Sequence, residues 1–187
     1  MREVDRCLCI ARPILSNGRR SSAYNRFMHF AVLTISDRCS EGLQTDTAGP
    51  AVVAVLKREW PQAEIRTALL GDDEDAIAAT LEELSRQGVA LVLTVGGTGL
   101  GPRDRTPEAT RRVVDREAPG LAEAMRARGA ERNPYAWLSR GVAGLRSNTL
   151  IVNLPGSQRG AEESLEAILA LLRHGIEVVA GAQSHPS

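Results

Sequence analysis

The sequence predicts an α/β protein, built as a three-layer α/β/α sandwich around a mostly parallel sheet with one late antiparallel hairpin. Short apolar runs rich in β-branched residues alternate with longer segments whose apolar residues recur every three to four positions. Such alternation requires crossover connections, and crossovers place parallel strands between two layers of helices. Near the end of the chain, two strand-like runs are separated only by Ser147-Asn148, which is typical of a hairpin turn.

The first five elements follow from this periodicity and from the residues that end each segment. In chain order they are a strand over Phe30–Ile35, a helix over Ala48–Arg58, a strand over Glu64–Leu70, a helix over Asp73–Gln87 and a strand over Val89–Val95. Pro61 ends the first helix, and Gly88 ends the second, whose first turn is acidic.

The second half of the chain continues with helices and closes with the hairpin and a helix. The predicted elements are helices over Thr106–Arg116 and Leu121–Arg128, strands over Gly141–Arg146 and Thr149–Leu154, and a helix from Glu162 to about Ala180. Pro119-Gly120 separates the first two of these helices. Thr106 is the expected N-cap of its helix, with Pro107 at the first helical position.

Composition excludes several classes of protein. The 187 residues suit a single domain, and the net charge of zero argues against a nucleic-acid binder that uses its whole surface. No apolar run approaches the ~20 residues that a membrane span needs. Three cysteines cannot form a disulfide framework, which favours reduced thiols and a cytoplasmic protein.

Charge divides the chain into two parts. Residues 1–27 contain six arginines and two acidic residues, which gives them a net charge of +4 and leaves −4 for residues 28–187. Residues 1–27 are predicted to be a flexible basic extension, and residues 28–187 the folded domain. The extension is either a real arm or a stretch in front of a natural start at Met28. An arm that contacts RNA is a third possibility.

Glycine and small polar residues follow every strand of parallel character, where open α/β sheets bind their ligands. Ser36 and Asp37 follow the first strand, and Asp72 follows the second. The remaining candidates follow the third and last strands: Gly97, Thr98, Gly99, Arg103, Asp104 and Thr106, then Pro155, Gly156 and Ser157.

The loop after the third strand predicts an anion site. Gly97 and Gly99 let the backbone approach a ligand closely, and the helix that begins near Thr106 directs its N-terminus at the same space. Asp104 would repel a bare phosphate, so we expect Mg²⁺ between them, with Asp72 as a second carboxylate. A tight turn with Asp104 as a simple cap is the alternative interpretation.

Three common fingerprints are missing. The chain lacks the phosphate-binding G-x-x-x-x-G-K-[ST] loop, the complete G-x-G-x-x-G dinucleotide pattern and the G-x-S-x-G nucleophile elbow. These absences argue against a P-loop protein, a dinucleotide-binding fold and a hydrolase.

Six motifs in order resemble the MogA/MoaB family of molybdenum cofactor biosynthesis. They are T-I-S-D at 34–37, D-x-x-G at 46–49, V-G-G-T-G at 95–99, R-D-x-T-P-E at 103–108, L-S-R-G-V-A-G-L-R at 138–146 and N-L-P-G-S at 153–157. The resemblance covers about residues 30–172. G-G-T-G followed by R-D-x-T is shared with related molybdopterin-binding domains, and the stretch from Leu138 to Ser157 is most similar to the molybdopterin adenylyltransferases.

The resemblance implies a reaction and a set of functional residues. It implies a homotrimer that transfers AMP from ATP to the terminal phosphate of molybdopterin, releases pyrophosphate and hands its product to a molybdenum-insertion enzyme. Asp72 and Asp104 match the essential aspartates that hold Mg²⁺, and Gly97–Gly99 match the loop for the pterin phosphate. Ser36, Asp37, Ser139, Arg140, Pro155, Gly156 and Ser157 match other positions that line the cleft. Gly71 stands where the family often has proline, and residues 1–27 are atypical of it.

Alternatives remain for the protein and for single residues. The chain could be a molybdopterin carrier without catalysis, or a related domain for another nucleotide or pterin. Arg103, Arg105 and Arg140 could clamp phosphates or form surface ion pairs. Asp37 and Asp46 could serve turns or caps or could contact a ligand, and Ser139 could be a boundary residue of a helix or strand. Tyr135 and Trp137 could line a pocket or form packing and subunit contacts.

Overall fold

A computed structural model describes residues 28–181. In chain order the elements are β1 (His29–Ile35), α1 (Asp37–Ser40), α2 (Ala48–Glu59), β2 (Glu64–Leu70), α3 (Glu74–Arg86), β3 (Leu91–Val95), α4 (Thr106–Val113), β4 (Arg116–Glu117), α5 (Pro119–Ala130), a 3₁₀ helix (Pro134–Leu138), β5 (Ala143–Arg146), β6 (Thr149–Leu154) and α6 (Gln158–Val179). The predicted extension, residues 1–27, lies outside the described residues.

The sheet has six strands in the order β2-β1-β3-β6-β5-β4. β1 pairs in parallel with β2 and β3, and β3 pairs in parallel with β6. β5 is antiparallel to both β6 and β4. The predicted fold class, a mostly parallel sheet with one late antiparallel hairpin, is therefore confirmed.

Two helical layers cover the sheet. α2, α5 and α6 pack on one face and share a core with Leu93, whereas α3 and α4 pack on the other face with Val92. Side chains of neighbouring strand residues point to opposite faces, so these two residues belong to different cores. All five residues of β3 are buried, as expected for a central strand covered on both sides.

Several predicted boundaries are wrong, and three of them have a clear cause in tertiary contacts or helix caps, which apolar periodicity does not report. The helix predicted over Thr106–Arg116 ends at Val113. Arg116 lies instead in β4, a strand absent from the prediction, where it pairs with Leu145 of β5. The final helix begins at Gln158, because the hydroxyl of Ser157 accepts a hydrogen bond from the Gly160 amide at 3.2 Å and caps it.

The third boundary concerns Pro119, which was expected to separate two helices. It is instead the first residue of α5. Proline suits this position because its fixed φ angle is helical and its missing N–H would have no partner inside the helix.

The hairpin turn is confirmed and is held by a residue far away in sequence. Ser147 has a φ of +51°, the only positive φ of a non-glycine residue among residues 28–181. The carboxylate of Asp115 accepts from the Ser147 amide and from the Arg146 guanidinium, both at 2.8 Å. Asp115 thus ties the turn to the segment that joins α4 to β4.

Helix length and composition bear on membrane insertion. Within residues 28–181, none of the helices is both long and apolar enough to cross a membrane.

Candidate functional site

The residues that follow β1 and β2 meet at one edge of the sheet. The Asp37 amide donates to Asp72 Oδ2 at 2.9 Å, and the Asp72 amide donates to Asp37 Oδ1 at 2.8 Å. The two strands are parallel neighbours, so their carboxyl ends lie side by side. The reciprocal bonds tie the two loops together and bring two predicted site residues into contact.

The two carboxylates have opposite pKa shifts. The amide of Asp72 and the guanidinium of Arg103 lower the pKa of Asp37. Arg103 contacts Asp37 Oδ2 through Nε at 3.0 Å and Nη2 at 2.8 Å. Burial raises the pKa of Asp72, and the charges of Asp37 and Asp104 raise it further. A carboxylate crowded by other carboxylates is stabilised in its charged form when a cation joins it.

Glycine is required at the turn after β3. Gly97 has a φ of +62°, and a Cβ built there would lie 2.3 Å from Thr106 Oγ1 and 3.1 Å from Asp72 Oδ1. A Cβ at Gly99 would lie 3.0 Å from Asp104 Oδ2. The predicted close approach of this backbone to its surroundings is therefore present, and both predicted aspartates border the loop.

Thr106 does not cap α4, so that prediction is wrong. Arg105 is the N-cap residue without a side-chain hydrogen bond, and Thr106 is the first residue of the helix. Thr106 is fully buried because its side chain fills the space beneath Gly97, whose carbonyl accepts its amide at 3.2 Å. Within the described chain, the Thr106 hydroxyl has no hydrogen-bond partner.

Asp72 and Asp104 each keep one carboxylate oxygen available. Asp104 Oδ2 accepts from the Gly101 amide at 2.7 Å, and Asp72 Oδ2 accepts from Asp37. Across residues 28–181, neither Asp72 Oδ1 nor Asp104 Oδ1 has a hydrogen-bond partner. Both residues line one cavity, so these oxygens can serve a ligand.

Three predicted serines serve local turns. Ser36 Oγ accepts from the Cys39 amide at 3.3 Å, Ser157 Oγ from Gly160, and Ser139 Oγ from the Gly141 amide at 3.3 Å. Each hydroxyl acts there as an acceptor, so its hydrogen stays free to donate. Ser139 is also the C-cap residue of the 3₁₀ helix, which confirms the boundary role considered for it, and its role toward a ligand stays a prediction.

The loops after β3 and β6 are in close contact. A Cβ at Gly156 would lie 3.2 Å from Gly96 Cα. Gly96 has a φ of +111°, and a Cβ there would lie 2.3 Å from the carbonyl oxygen of Ile35, the last residue of β1. Three strand ends therefore converge on this pair of glycines.

The guanidinium of Arg140 is bound to oxygen atoms of the protein. The amide of this residue donates to Thr98 O at 2.9 Å, and its Nε donates to Gly99 O at 2.7 Å. Its Nη2 donates to Asp104 O, and its Nη1 pairs with the Glu108 carboxylate. Arg105, also considered for phosphate, lies 3.2 Å from a Glu74 carboxylate oxygen.

Two cavities meet at the glycine loop. The larger, of about 380 Å³, and the smaller, of about 220 Å³, share Gly97, Asp104 and Gly156. The other predicted residues in the larger cavity are Thr98, Gly99, Ser139, Pro155 and Ser157, and those in the smaller are Ser36 and Asp72. Four predicted residues line neither cavity in the described structure: Asp37, Arg103, Thr106 and Arg140.

The walls of the two cavities differ. Ala122, Met125, Ala136 and Leu138 give the larger cavity an apolar wall, and Tyr135 lies at its rim with 74% of its surface exposed. The smaller cavity is lined mainly by hydroxyl, amide and carboxylate groups beside the N-terminus of α2. The pair of cavities could therefore hold a flat ring system and a strongly polar group next to each other.

Asn153 is an organising residue that the sequence analysis did not single out. It is buried in β6, and its Nδ2 donates to Thr94 Oγ1 at 3.0 Å and Thr110 Oγ1 at 2.9 Å. Its Oδ1 accepts from the Val142 amide at 3.1 Å. One amide thus joins β6, β3, α4 and the start of β5 behind the larger cavity. The sequence feature that could have identified it is a single asparagine within an otherwise apolar strand.

Asp46 has the turn role that was one of its two interpretations. Its carboxylate accepts from Thr34 Oγ1 at 2.6 Å and from the Gly49 amide at 2.9 Å. It therefore joins the end of β1 to the first turn of α2, in the wall of the smaller cavity.

Metal binding would rest on few protein ligands. Among the residues the structure describes, no three histidine, cysteine, aspartate or glutamate side chains cluster into a ready metal site. Mg²⁺ commonly takes only one or two carboxylates, with phosphate oxygens and water as its other ligands. The free oxygens of Asp72 and Asp104 fit that pattern.

The chain is similar to known proteins over the region that holds this site. The family described as "Probable molybdopterin binding domain" matches residues 31–174. Molybdopterin adenylyltransferase of Helicobacter pylori strain J99 is 36% identical over 156 residues, which covers 82% of this chain and 89% of that protein.

Longer proteins and a solved structure also match. The molybdenum cofactor synthesis protein cinnamon of Drosophila melanogaster is 38% identical over 151 residues, 80% of this chain, and the chain spans only 25% of its length. It spans 22% of gephyrin from Dictyostelium discoideum. The structure of the molybdopterin biosynthesis enzyme MoaB from Thermus thermophilus has 48% identity and a TM-score of 0.76, and covers 83% of this chain and 98% of MoaB. The chain therefore belongs to the molybdopterin-binding domain family, as its motifs indicated.

Proposed function

We propose that this protein transfers AMP from ATP to the terminal phosphate of molybdopterin and releases pyrophosphate. The observation that carries this proposal is the pair of cavities that meet at Gly97, Asp104 and Gly156, with Asp72 beside the junction. Two substrates can lie there end to end, and a phosphate of each reaches the same carboxylates. A relative named molybdopterin adenylyltransferase, of which this chain covers 89%, supports the same reaction.

The cavity walls suggest which substrate each cavity takes. The apolar wall with Met125 and Leu138 suits the flat pterin ring system, and the polar cavity beside the α2 N-terminus suits the phosphates of ATP. The turn at Gly97, between them, presents backbone N–H groups to the terminal phosphate of the pterin. The Arg103 guanidinium, which is paired with Asp37, is outside both cavity linings, and its side chain is 69% exposed.

The two free carboxylate oxygens, Asp72 Oδ1 and Asp104 Oδ1, would hold Mg²⁺. Burial, and then the charges of Asp37 and Asp104, raise the pKa of Asp72, which supports the proposal because a cation here would stabilise the charged carboxylate. When bound, the ion offsets the negative charge of the phosphates that approach one another.

The reaction needs no nucleophilic side chain. An oxygen of the pterin phosphate forms a bond to the α-phosphorus of ATP, and the bond from that phosphorus to the bridging oxygen of pyrophosphate breaks. The attacking oxygen is already deprotonated at neutral pH, so no general base is required. The chain's contribution is to orient both phosphates and to stabilise their charge.

Three further expectations belong to this proposal. Tyr135, Trp137 and Leu138 expose 74%, 58% and 52% of their surfaces on one short helix, which suits the contact of a homotrimer. The adenylylated pterin would pass to an enzyme that inserts the metal. Use of ATP and the pterin agrees with a cytoplasmic location.

The direct test mixes the purified full chain with ATP, Mg²⁺ and molybdopterin, and measures pyrophosphate and adenylylated pterin. We expect product only when all three components are present. Asp72→Asn and Asp104→Asn should each lower turnover by ~10²-fold or more, the scale for loss of a group that stabilises charge. Asp75→Asn is the matched control, since its side chain is 86% exposed and lies three residues from Asp72.

The other outcomes decide between functions. Near-normal turnover in a folded Asp104→Asn variant would contradict the proposed role of the carboxylates. Tight pterin binding without product would favour a carrier, and a lack of both would favour a different nucleotide or pterin ligand.

A further inference from the structure

One arginine binds three backbone carbonyls of the loop that follows β3. The Arg140 amide binds Thr98 O, and its Nε binds Gly99 O at 2.7 Å. Its Nη2 binds Asp104 O, at the opposite end of the same loop. A single side chain therefore bridges the glycine turn and the residue that carries the second predicted carboxylate.

The same guanidinium is anchored by Glu108 in the first turn of α4. The two side chains are only 31% and 28% exposed, so their charges are partly removed from water. Charges in such surroundings must be paired, and loss of one partner leaves the other uncompensated. Glu108 thereby fixes where Arg140 lies relative to the helix that begins beneath Gly97.

Most of the N–H donors of Arg140 are bound to protein oxygens. An arginine has five N–H groups in a rigid fork, and protein oxygens accept three of those of Arg140. One N–H on each terminal nitrogen remains, but Nε is bound to Gly99 O, so a side-on two-point contact with phosphate through Nε and Nη2 would require that bond to break. The side chain of Arg103, by contrast, is 69% exposed.

We propose that Arg140 and Glu108 form a positioning pair that holds the Gly99–Asp104 loop in register with α4, and so sets where the Asp104 carboxylate lies. Neither side chain touches the reacting phosphates. The identity of the ligand that this loop binds rests on the proposed function. The positioning of the loop by Arg140 and Glu108 is independent of that function.

The effect of Glu108 separates this proposal from a direct phosphate contact. If Arg140 bound phosphate, neutralising Glu108 would remove a competing acceptor and strengthen that contact. If Arg140 positions the loop, neutralising Glu108 loosens the arginine and weakens the site. Glu108→Gln therefore has opposite expected signs in the two cases.

The test compares Arg140→Lys, Glu108→Gln and the double variant in the full chain. Lysine keeps the charge but cannot present a planar fork to three acceptors. Arg111→Lys and Glu117→Gln are matched controls. Arg111 of α4 and Glu117 of β4 form an exposed ion pair, with 3.6 Å between Arg111 Nε and Glu117 Oε1. Hydrogen exchange of the 97–104 amides is measured without ligands, together with kcat and KM for each substrate.

We expect Arg140→Lys and Glu108→Gln each to speed exchange of the 97–104 amides by ~10-fold and to lower kcat by ~10-fold or more, with KM nearly unchanged. The double variant should be little worse than the worse single one, as for two residues acting as a unit. Both control variants should match the wild-type protein.

Two results would overturn the proposal: wild-type exchange in Glu108→Gln, or a raised KM for molybdopterin with unchanged kcat in Arg140→Lys. If the wild-type protein makes no adenylylated pterin, the proposed function fails, whereas the exchange data still decide the positioning role.

Discussion

Asp37 and Asp72 bind each other's backbone amide through their carboxylates, at 2.8 and 2.9 Å, although they lie 35 residues apart. The second oxygen of Asp37 binds Arg103, and the second oxygen of Asp72 faces the turn at Gly97. The reciprocal bonds orient Asp72 for a ligand while Asp37 remains bound to protein groups. Asp37 is thus best understood as a support for Asp72.

Asp37→Ala should separate this support from folding. The change leaves the Asp72 amide without its acceptor, so we expect a loss of about 1–3 kcal/mol in the free energy of unfolding. The Mg²⁺ concentration for half-maximal activity should rise at the same time. Asp37→Asn, which keeps an acceptor oxygen, should retain most of the stability. Denaturant unfolding and a Mg²⁺ titration check both, and equal Mg²⁺ requirements in all three proteins would contradict the role.

Gly97→Ala should abolish the site, and Gly42 provides a matched control. Both glycines have positive φ, +62° and +75°, so alanine costs about 1–2 kcal/mol of backbone strain at either position. Only at Gly97 would the new methyl group also collide, 2.3 Å from Thr106 Oγ1, whereas Gly42 has open space around it. Gly42→Ala should keep its activity. If Gly97→Ala bound substrate as tightly as Gly42→Ala does, the turn would tolerate a side chain and the prediction would be wrong.

Asn153→Ala should destabilise the fold by about 2–4 kcal/mol, because it leaves the Val142 amide without its acceptor and empties a buried site. Thr94 and Thr110 would also lose their shared donor. Adding Thr94→Val and Thr110→Val should cost less than the sum of the separate effects. Urea unfolding of the single, double and triple variants measures this coupling, and strict additivity would refute the shared network.

Asp115 should contribute to stability in a way that depends on pH. The Ser147 amide, and then the charge of Arg146, lower its pKa in the folded protein. A lowered folded pKa means that the stabilisation is present above the unfolded value of about 3.9 and disappears as pH falls through the folded value. The wild-type protein should therefore exceed Asp115→Asn in stability near pH 6, and the difference should vanish at low pH.

Thermal unfolding of both proteins between pH 2 and 7 checks the Asp115 prediction. Taking the difference cancels the titration of Asp37 and Glu163, whose pKa values are also lowered, and of Asp72, whose pKa is raised. A difference independent of pH would mean that the carboxylate charge contributes nothing to the turn.

Much of the fold and of the site was predictable because the determining features are local. Apolar periodicity predicts β1, β6 and α3 to within one residue at each end, since it reflects which side of an element faces the core. The glycines at 97 and 99 and the aspartates at 72 and 104 are identified by their places after strands. In a parallel sheet these places converge by geometry alone.

Other features depended on contacts between distant segments, which only the tertiary structure decides. β4 exists because Arg116 and Glu117 find a partner in β5, and two residues of strand carry no periodic signal. The burial of Thr106 beneath Gly97 reflects packing between a loop and a helix that no spacing encodes.

The sequence by itself determined the fold class, the strand ends and the motifs that indicate the family, because these follow from short-range patterns of polarity and backbone freedom. The tertiary structure decided which side chains are free for a ligand and which are bound to the protein. Asp72 and Asp104 keep an available oxygen, whereas Arg140 is held by Gly99, Asp104 and Glu108. A side chain's free donors and acceptors depend on every neighbour that folding brings to it, and those neighbours come from all parts of the chain.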